Sequence, residues 1–193
     1  DLTVTELTEE DYLMFGNGIL TKRRISYETL LRYRVFVEKS ALIIPYEIEA
    51  DVVKRYKRIS YSGGNKEIKT KGGSTLFPLR SLYKSRIVIC EGEYDVLALL
   101  SHGINAITGT AGCKTFKQEW AWAMSGKDVT ILYDNDDPGR SGALMVKNLI
   151  QPYARRVRVA SFPIEYAKGY DISDHFTEGK SVDELRKIIA AGI

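Results

Sequence analysis

Cysteine and histidine are scarce in this sequence of 193 residues, with two of each. Cys90, Cys113, His102 and His175 show neither CxxC nor HxxxH spacing, which excludes a zinc site and a disulfide framework in this fragment. We interpret all four as packing or surface residues. Because unpaired cysteines are typical of reducing compartments, we expect a cytoplasmic protein.

Long apolar runs are also missing. No run approaches the ~18 residues that a membrane span needs, and the first residues do not resemble a signal peptide. We therefore expect a soluble protein without a membrane partner. The chain begins with Asp1 rather than Met, so we expect it to be part of a longer protein.

A strong excess of either charge is absent, since 28 Lys and Arg against 25 Asp and Glu give a net charge of +3. The distribution of charge is more informative. Residues 1–11 hold five acids and no base, whereas residues 52–86 hold ten bases and one acid. Tyr56, Tyr61 and Phe77 interleave this basic block, and their rings can stack on bases. The block predicts a nucleic-acid-binding surface.

The pattern of the sequence changes near residue 85, and we predict two domains, residues 1–84 and 85–193. The first is predicted to be α+β. Its signals are a short helix capped by Ser26, strands at residues 41–46 and 52–61, and a glycine-containing hairpin turn at residues 62–65.

After residue 85, apolar runs alternate with amphipathic stretches, which is typical of βαβ units and a parallel sheet. The predicted strands are residues 87–90, 105–108, 129–133 and 157–160, and the predicted helices are residues 94–101, 115–124 and 140–150, with a last helix from Ser181. The predicted class of this half is α/β.

Acidic residues directly follow three of these strands. Glu91 follows the first, Asp134 and Asp136 the third, and Asp171 and Asp174 the fourth. Ligands of open parallel sheets bind at the carboxyl ends of the strands, so we expect these acids to share one crevice. A single acid at such a place can equally well stabilise a helix N-terminus.

Several carboxylates in one crevice repel one another and resist ionisation unless cations are bound there. Oxygen ligands without histidine favour Mg²⁺ or Mn²⁺ over zinc. An EF-hand is excluded because Pro138 and Met145 stand where its ligands belong, and a P-loop is disfavoured because Cys113 separates Gly112 from Lys114.

The second half of the sequence contains four segments in this order: Glu91-Gly-x-x-Asp95, Gly109-Thr-Ala-Gly112, Asp134-x-Asp136-x-x-Gly139 and Lys168-Gly-x-Asp171-x-x-Asp174. Together they closely resemble the Toprim domain of primases, topoisomerases and some nucleases. Residues 20–77 resemble, less specifically, the amino-terminal part of the catalytic core of bacterial and phage-type DNA primases. The resemblance implies a Toprim-type parallel sheet flanked by helices and preceded by a smaller, basic α+β subdomain.

The resemblance also implies roles for the acids. Glu91 is expected to be the catalytic acid or base and a metal ligand, while Asp134 and Asp136 hold Mg²⁺ or Mn²⁺. Asp171, together with Asp174, is expected to complete the position of a second ion. Asp95 is expected to orient the loop rather than to touch metal.

The implied function is that of a primase catalytic core: metal-dependent synthesis of an RNA primer from NTPs on single-stranded DNA. A replicative helicase is the implied partner, in cis or in trans, in the cytoplasm of a bacterial or phage-infected cell. The residues expected to bind nucleic acid or nucleotide are Arg55, Lys57, Arg58, Lys66, Lys69, Lys71 and Lys168.

Two other functions stay open on the sequence. One is a Toprim nuclease or a topoisomerase-like enzyme, although none of the twelve tyrosines can be singled out as a nucleophile. The other is a non-catalytic single-strand-binding module of a replicative helicase.

Overall fold

The computed structural model describes residues 2–110, 112 and 115–193, and the chain divides into two compact units, Asp1–Ser74 and Thr75–Ile193. The boundary lies earlier than the predicted one after residue 84. Residues Leu76–Phe77 form a strand that pairs with the strand Ala106–Gly109, so they belong to the sheet of the second unit. Part of the glycine turn that follows this strand, Ala111, Cys113 and Lys114, lies outside the described residues.

The first unit is α+β, as its turn and cap signals predict. Its elements are β1 (Leu2–Thr3), α1 (Glu9–Met14), a 3₁₀ turn (Phe15–Asn17), α2 (Ile19–Lys22), α3 (Tyr27–Arg32), β2 (Phe36–Glu38), β3 (Ala41–Glu49), β4 (Val52–Ser62) and β5 (Asn65–Lys71). The strands pair antiparallel in the order β1-β4-β3-β2, and β5 also pairs with β4.

Local sequence explains two of these elements. The hydroxyl of Ser26 accepts a hydrogen bond from the amide of Thr29 at 3.1 Å, which satisfies one of the free amides at the start of α3. Between β4 and β5, Gly63 and Gly64 have φ of 55° and 83°, a left-handed backbone that glycine adopts without strain. The β4–β5 hairpin therefore forms where the sequence predicts it.

The second unit is α/β. Its elements are β6 (Leu76–Phe77), a 3₁₀ turn (Leu79–Tyr83), β7 (Arg86–Cys90), α4 (Glu93–Ser101), β8 (Ala106–Gly109), α5 (Gln118–Ala121), a 3₁₀ turn (Trp122–Met124), β9 (Asp128–Leu132), α6 (Asp137–Ile150), β10 (Arg156–Ala160), α7 (Ile172–Thr177) and α8 (Val182–Ala190). The sheet has the order β10-β9-β7-β8-β6, and β6 alone among these described strands runs antiparallel.

The order of the strands places a topological switch point beside β7. The chain passes from β7 to β8 on one side and later returns to β9 on the other side, so the following loops diverge at this point. A crevice at the carboxyl ends of such strands is where doubly wound sheets bind ligands. The fold thus brings the ends of β7 and β9, and the acids after them, to one edge.

One face of this sheet packs on α5 and α6. Ile87, Ile89, Val129 and Ile131 lie in a buried cluster with Trp120 and other side chains from the two helices. Among the described residues, no helix is long and apolar enough to cross a membrane.

Candidate functional site

Three carboxylates meet at the switch point of the second unit. Asp95, Asp134 and Asp171 each offer an oxygen, and these oxygens lie within 4.8 Å of one another. Asp95 lies in the first turn of α4, Asp134 follows β9, and Asp171 is the N-cap of α7. Three separate parts of the chain therefore build one acidic group, which we call the carboxylate cluster.

Glu91 lies next to this cluster. It follows β7 directly, and its side chain shares a hydrogen bond with Asp134. The hydroxyl of Thr108, on β8, donates a hydrogen bond to the carbonyl oxygen of Glu91 at 2.9 Å. This contact holds the loop after β7 against the neighbouring strand, so that Glu91 stays beside Asp134.

The pKa of Asp134 is raised from 3.8 to about 9. Burial is the main cause, followed by the negative charges of Asp95 and Glu91, the hydrogen bond with Glu91, and the charge of Asp171. In the metal-free protein, Asp134 therefore holds a proton at neutral pH. A cation that replaced this proton would remove the repulsion, which is how an acidic site becomes selective for divalent metal.

The Cys90 thiol lies beneath the cluster. It is buried at the end of β7, and burial together with the charges of Asp95, Asp134 and Glu91 raises its pKa well above the usual value. A thiol kept in its neutral form is a poor nucleophile and a poor metal ligand. Cys90 therefore serves as packing, as the sequence predicts.

Asp95 has a different place from the one expected of it. The sequence assigned it to orienting the loop, whereas the structure buries it to 6% exposure with its oxygen among the three that meet. The hydroxyl of Ser173, itself 2% exposed, donates a hydrogen bond to Asp95 Oδ1 at 3.0 Å. Asp95 lies four residues beyond Glu91, in the first turn of α4, and this spacing alone does not show whether its carboxylate turns toward the crevice.

Asp136 is not among the three carboxylates that meet. It is the N-cap of α6, and its Oδ1 accepts a hydrogen bond from the amide of Gly139 at 2.7 Å. Gly139 has to be glycine because a Cβ there would lie 2.3 Å from the carbonyl oxygen of Asp134. This close approach packs the start of α6 against the end of β9, and the role of Asp136 as a metal ligand stays a prediction.

Backbone hydrogen bonds hold the loop of Asp134 beside the loop of Asp171. The amide of Asn135 donates to the carbonyl oxygen of Tyr170 at 2.9 Å, and the amide of Gly169 donates to that of Asn135 at 3.0 Å. Asp171 Oδ1 in turn accepts from the amide of Asp174 at 2.6 Å, while the Asp174 carboxylate accepts from the amide of Asp171. Asp174 therefore completes a capping box rather than the cluster.

An aromatic group supports the same loop. The ring of Tyr170 packs against those of Phe162 and Tyr166, with centroids 5.1 Å and 4.6 Å away. The Lys180 ammonium lies over the rings of Tyr166 and Tyr170 and donates to the Tyr170 hydroxyl at 3.1 Å. Lys168 lies exposed in this loop, where its charge contributes, after that of Arg140, to lowering the pKa of Asp137.

The predicted basic residues of the first unit divide between the two faces of the β4–β5 hairpin. Cross-strand partners share a face, and the pairs Arg58 with Lys69 and Tyr61 with Lys66 lie on opposite faces, because residues 58 and 61 differ by an odd number. Lys71 shares the face of Arg58, whereas Arg55 and Lys57 share that of Lys66. The six bases thus do not form one continuous surface on the hairpin.

The cations of β4 are partly neutralised within the first unit. Arg55 lies 3.7 Å from Glu47, and Arg58 lies 3.0 Å from Glu38. Every residue of β5, by contrast, is exposed, and this strand carries Lys66, Lys69 and Lys71. The three lysines of β5 are the part of the basic block best placed to meet a polyanion.

The three aromatic residues predicted to stack on bases are less available. Phe77 is 3% exposed and belongs to β6 in the sheet of the second unit, so its prediction as a stacking residue is wrong. Tyr61 packs edge-on against Phe15, and Tyr56 packs against a buried apolar cluster of the first unit.

The donor set fits a hard divalent cation. It consists of carboxylate oxygens from Asp95, Asp134 and Asp171, with Glu91 beside them. Burial first, and then the neighbouring negative charges, raise the pKa of Asp134, and a cation would neutralise those charges. Oxygen ligands of this kind suit Mg²⁺ and Mn²⁺. The three-carboxylate group can hold a cation and leave coordination positions for phosphate oxygens.

The loss of the Ser173 hydroxyl tests how the cluster is held. We expect Ser173→Ala to lower the affinity for Mn²⁺ by about 10–100-fold, because the buried Asp95 loses the donor that orients it. Isothermal titration calorimetry with Mn²⁺ measures the effect. Ser101→Ala is the matched control, since it removes a hydroxyl from the other end of α4. Equal Mn²⁺ affinity in the two variants would show that Ser173 does not position a ligand.

Comparison with known proteins agrees with this site. Residues 88–176 match the family model described as Toprim-like, and these residues span the carboxylate cluster. A DNA primase of Aquifex aeolicus (strain VF5) is 34% identical over 103 residues, which are 53% of this chain and 20% of that protein. The chain therefore spans one fifth of the length of this relative.

Several solved structures have a fold similar to that of this chain over most of its length. The zinc-binding and RNA polymerase domains of the Aquifex aeolicus primase superpose with a TM-score of 0.73 and 18% identity, covering 95% of this chain and 58% of that one. The primase fragment of the bacteriophage T7 primase-helicase protein gives a TM-score of 0.67 with 20% identity, and the match covers 88% of this chain and 72% of that one.

The DnaG primase catalytic domain bound to single-stranded DNA gives a TM-score of 0.69 with 15% identity, and the match covers 93% of this chain and 74% of that one. At these identities the structures establish the fold. Residues 88–176 of the second unit match the Toprim-like family model, and the chain as a whole has the fold of DNA primase catalytic cores. The resemblance and the fold class predicted from the sequence are thus confirmed.

Proposed function

We propose that this chain is the catalytic core of a DNA primase, which synthesises RNA primers from NTPs on a single-stranded DNA template. The observation that carries this proposal is the carboxylate cluster at the switch point of a Toprim-like domain. The identity with the Aquifex aeolicus DNA primase supports it. The resemblance to the T7 primase-helicase fragment supports a replicative helicase as partner, in cis or in trans.

The proposed cofactor is Mg²⁺ or Mn²⁺, with two ions as in the sequence-based prediction. Asp95, Asp134 and Asp171 would hold the metal, and Asp136 would be recruited from its capping position at α6 if it is also a ligand. When bound, the ions supply charge that activates a 3′-hydroxyl and neutralises the triphosphate.

Glu91 is the proposed catalytic base. Its carboxylate already shares a hydrogen bond with Asp134, so the two side chains are close enough to pass a proton between them. Glu91 would accept the proton of the primer 3′-hydroxyl, and Ser173 and the loop of Tyr170 would keep the neighbouring aspartates in place. Lys168, exposed at the edge of that loop, is proposed to contact the triphosphate.

We propose that the lysines of β5 bind the phosphates of the template strand, together with Arg55, Lys57 and Arg58 on β4. Removing three charges with the variant Lys66→Gln, Lys69→Gln and Lys71→Gln is expected to lower the affinity for single-stranded DNA. The slope of log affinity against log salt concentration should fall by about 2, at about 0.7 for each phosphate contact of a single strand. Fluorescence anisotropy at several salt concentrations measures both quantities.

Glu67→Gln is the matched control for these lysines, because Glu67 lies on the same exposed strand and carries the opposite charge. It should leave the affinity unchanged or raise it. An unchanged salt slope in the lysine variant would contradict the role of β5 in template binding.

The proposed function is tested by incubating the protein with single-stranded DNA, labelled ribonucleotides and Mg²⁺ or Mn²⁺, with and without a preformed primer. We expect oligoribonucleotides that depend on template and metal. Metal-dependent cleavage of the DNA without incorporation would instead indicate a Toprim nuclease. Salt-dependent DNA binding without any turnover would indicate a non-catalytic binding module, and either result would overturn the proposal.

A further inference from the structure

Besides the bases of the β4–β5 hairpin, the protein has a second basic surface. It lies on the Toprim-like sheet, at the end opposite to the carboxylate cluster. It is a groove of about 690 Å³ at the amino-terminal ends of β7, β9 and β10, on the face of the sheet that α5 and α6 do not cover. Ile104, which follows α4, and Ile189, near the end of α8, flank it. We call it the amino-edge groove. Lys84 and Arg86 in its lining belong to the basic block of residues 52–86, whereas the sequence analysis assigns no role to Arg156, Arg158 or the groove itself.

The register of the strands explains its charge. Arg86, Asp128 and Arg156 are partners across β7, β9 and β10, and Val88, Thr130 and Arg158 are partners two residues further on. Neighbours in register share a face, so two rows of side chains point into the groove together. Lys84 adds a further cation at the rim.

The positive charge of the groove is largely uncompensated. Among its described lining residues, Asp128 is the one acid, and both of its carboxylate oxygens accept hydrogen bonds from Arg155, at 2.9 Å and 2.6 Å. Asp128 is thus occupied by a cation from outside the lining, while Arg86 and Arg156 are exposed at the first positions of their strands.

We propose that the amino-edge groove binds the sugar-phosphate backbone of a single-stranded nucleic acid, outside the segment that reacts. Arginine forks match phosphate oxygens, and cations spread along an open groove are the usual means of tracking a backbone. No aromatic side chain is among the described lining residues, so the groove offers no ring for a base to stack on. The expected contacts are those of the cations with phosphates, which carry no sequence information.

An acidic peptide is the competing occupant, and the lining favours nucleic acid. Peptides bound in grooves are anchored by apolar side chains in pockets. In the amino-edge groove Ile87 and Val88 are buried in the sheet and Ile104 and Ile189 are half-buried, whereas the cations are exposed or half-buried. Charge rather than apolar area is what this surface offers a partner.

The groove is separate from the carboxylate cluster. β7 runs from Arg86 to Cys90, and at about 3.3 Å per residue its two ends are roughly 13 Å apart. Nucleic acid bound in the groove therefore lies at the other end of β7 from the reacting groups. The inference goes beyond the proposed function, because binding there requires neither metal nor ribonucleotides.

The test is the binding of a long labelled oligothymidylate by the whole chain in EDTA, measured by fluorescence anisotropy at several salt concentrations. We expect the double variant Arg86→Gln with Arg156→Gln to bind about 10-fold more weakly at low salt, and its salt slope to fall by about 1.4 for two lost contacts. Lys84→Gln with Arg156→Gln repeats the test without altering β7, and melting temperatures confirm that both variants fold.

The matched control is Arg32→Gln with Lys147→Gln, which removes the same charge from an exposed helix of the first unit and from α6 on the opposite face of the sheet. The proposal is overturned if the groove variants bind DNA like this control. It is also overturned if they lose affinity for poly-L-glutamate alone, since the groove would then take an acidic peptide. Because the assay contains no metal or nucleotide, failure of primer synthesis leaves its result unaffected.

Discussion

Asp134→Asn should abolish primer synthesis and at the same time stabilise the metal-free protein. Activity should fall at least about 100-fold, because the side chain loses the charge that attracts a cation to the cluster. The fold should gain stability because the asparagine amide is neutral in both states, whereas Asp134 has to take up a proton when the chain folds. A gain of about 1 kcal/mol corresponds to a rise in melting temperature of about 2–4 °C for a domain of this size.

The difference in stability should depend on pH in a stated direction. The pKa of Asp134 rises from 3.8 to about 9 on folding, so between these values the unfolded chain has released the proton and the folded chain retains it. The contribution of Asp134 to the wild-type free energy of unfolding therefore falls as pH rises from about 4 to about 9 and then levels off. The variant lacks this contribution, so its advantage grows over the same interval.

Thermal melting in EDTA at pH 5, 7 and 9 would be measured for the wild type, Asp134→Asn and the control Asp183→Asn, whose carboxylate is exposed at the start of α8. The control should show no gain in stability and should keep its activity. A melting temperature for Asp134→Asn below that of the wild type at every pH would contradict the electrostatic account of the cluster.

Glu91→Gln should separate chemistry from binding. We expect primer extension to fall by about 10²–10⁴-fold, the range that removal of a general base produces. Affinity for single-stranded DNA should not change, because the loss of one negative charge removes no phosphate contact. Single-turnover extension of a preformed primer, with anisotropy measured on the same samples, provides both readouts.

Glu165→Gln serves as the control for Glu91, since Glu165 is exposed in the loop after β10. It should retain wild-type extension. If Glu91→Gln extends the primer within a few-fold of this control, Glu91 is not the base, and the role would have to pass to another group of the crevice.

Much of the fold follows from local patterns in the sequence. The apolar runs predict β7, β8, β9 and β10, and the glycine turn predicts the β4–β5 hairpin. The rule that ligands lie at the carboxyl ends of parallel strands predicts Glu91, Asp134 and Asp171 at one edge of the sheet. The structure brings these three together.

The other features of the site depend on distances in three dimensions, which the spacing of residues in the sequence does not specify. Asp95 and Asp136 each stand next to a helix start, and the sequence alone cannot say which carboxylate turns toward the crevice and which caps its own helix. Asp136 accepts from the amide of Gly139, whereas Asp95 meets Ser173, a residue 78 positions away in the chain. Such a long-range contact leaves no local pattern.

Helix α7 is not among the helices predicted from the sequence. The acids after the strands, Asp171 included, could equally well stabilise a helix N-terminus, and Asp171 does so in a capping box with Asp174 while it also contributes to the cluster. The division of the basic block was predictable in part, because Lys57 and Arg58 are adjacent on a strand and must point to opposite faces. The amino-edge groove depends on the register of three strands, which the sequence does not specify.

Anomalous scattering from a crystal soaked in Mn²⁺ tests the central claim directly, namely that the side chains of Asp95, Asp134 and Asp171 form a divalent-cation site with Glu91 beside it. We predict a manganese peak within about 2.0–2.3 Å of carboxylate oxygens from at least two of the three aspartates. The account is contradicted if these carboxylates bind no manganese while the metal occupies sites elsewhere on the molecule.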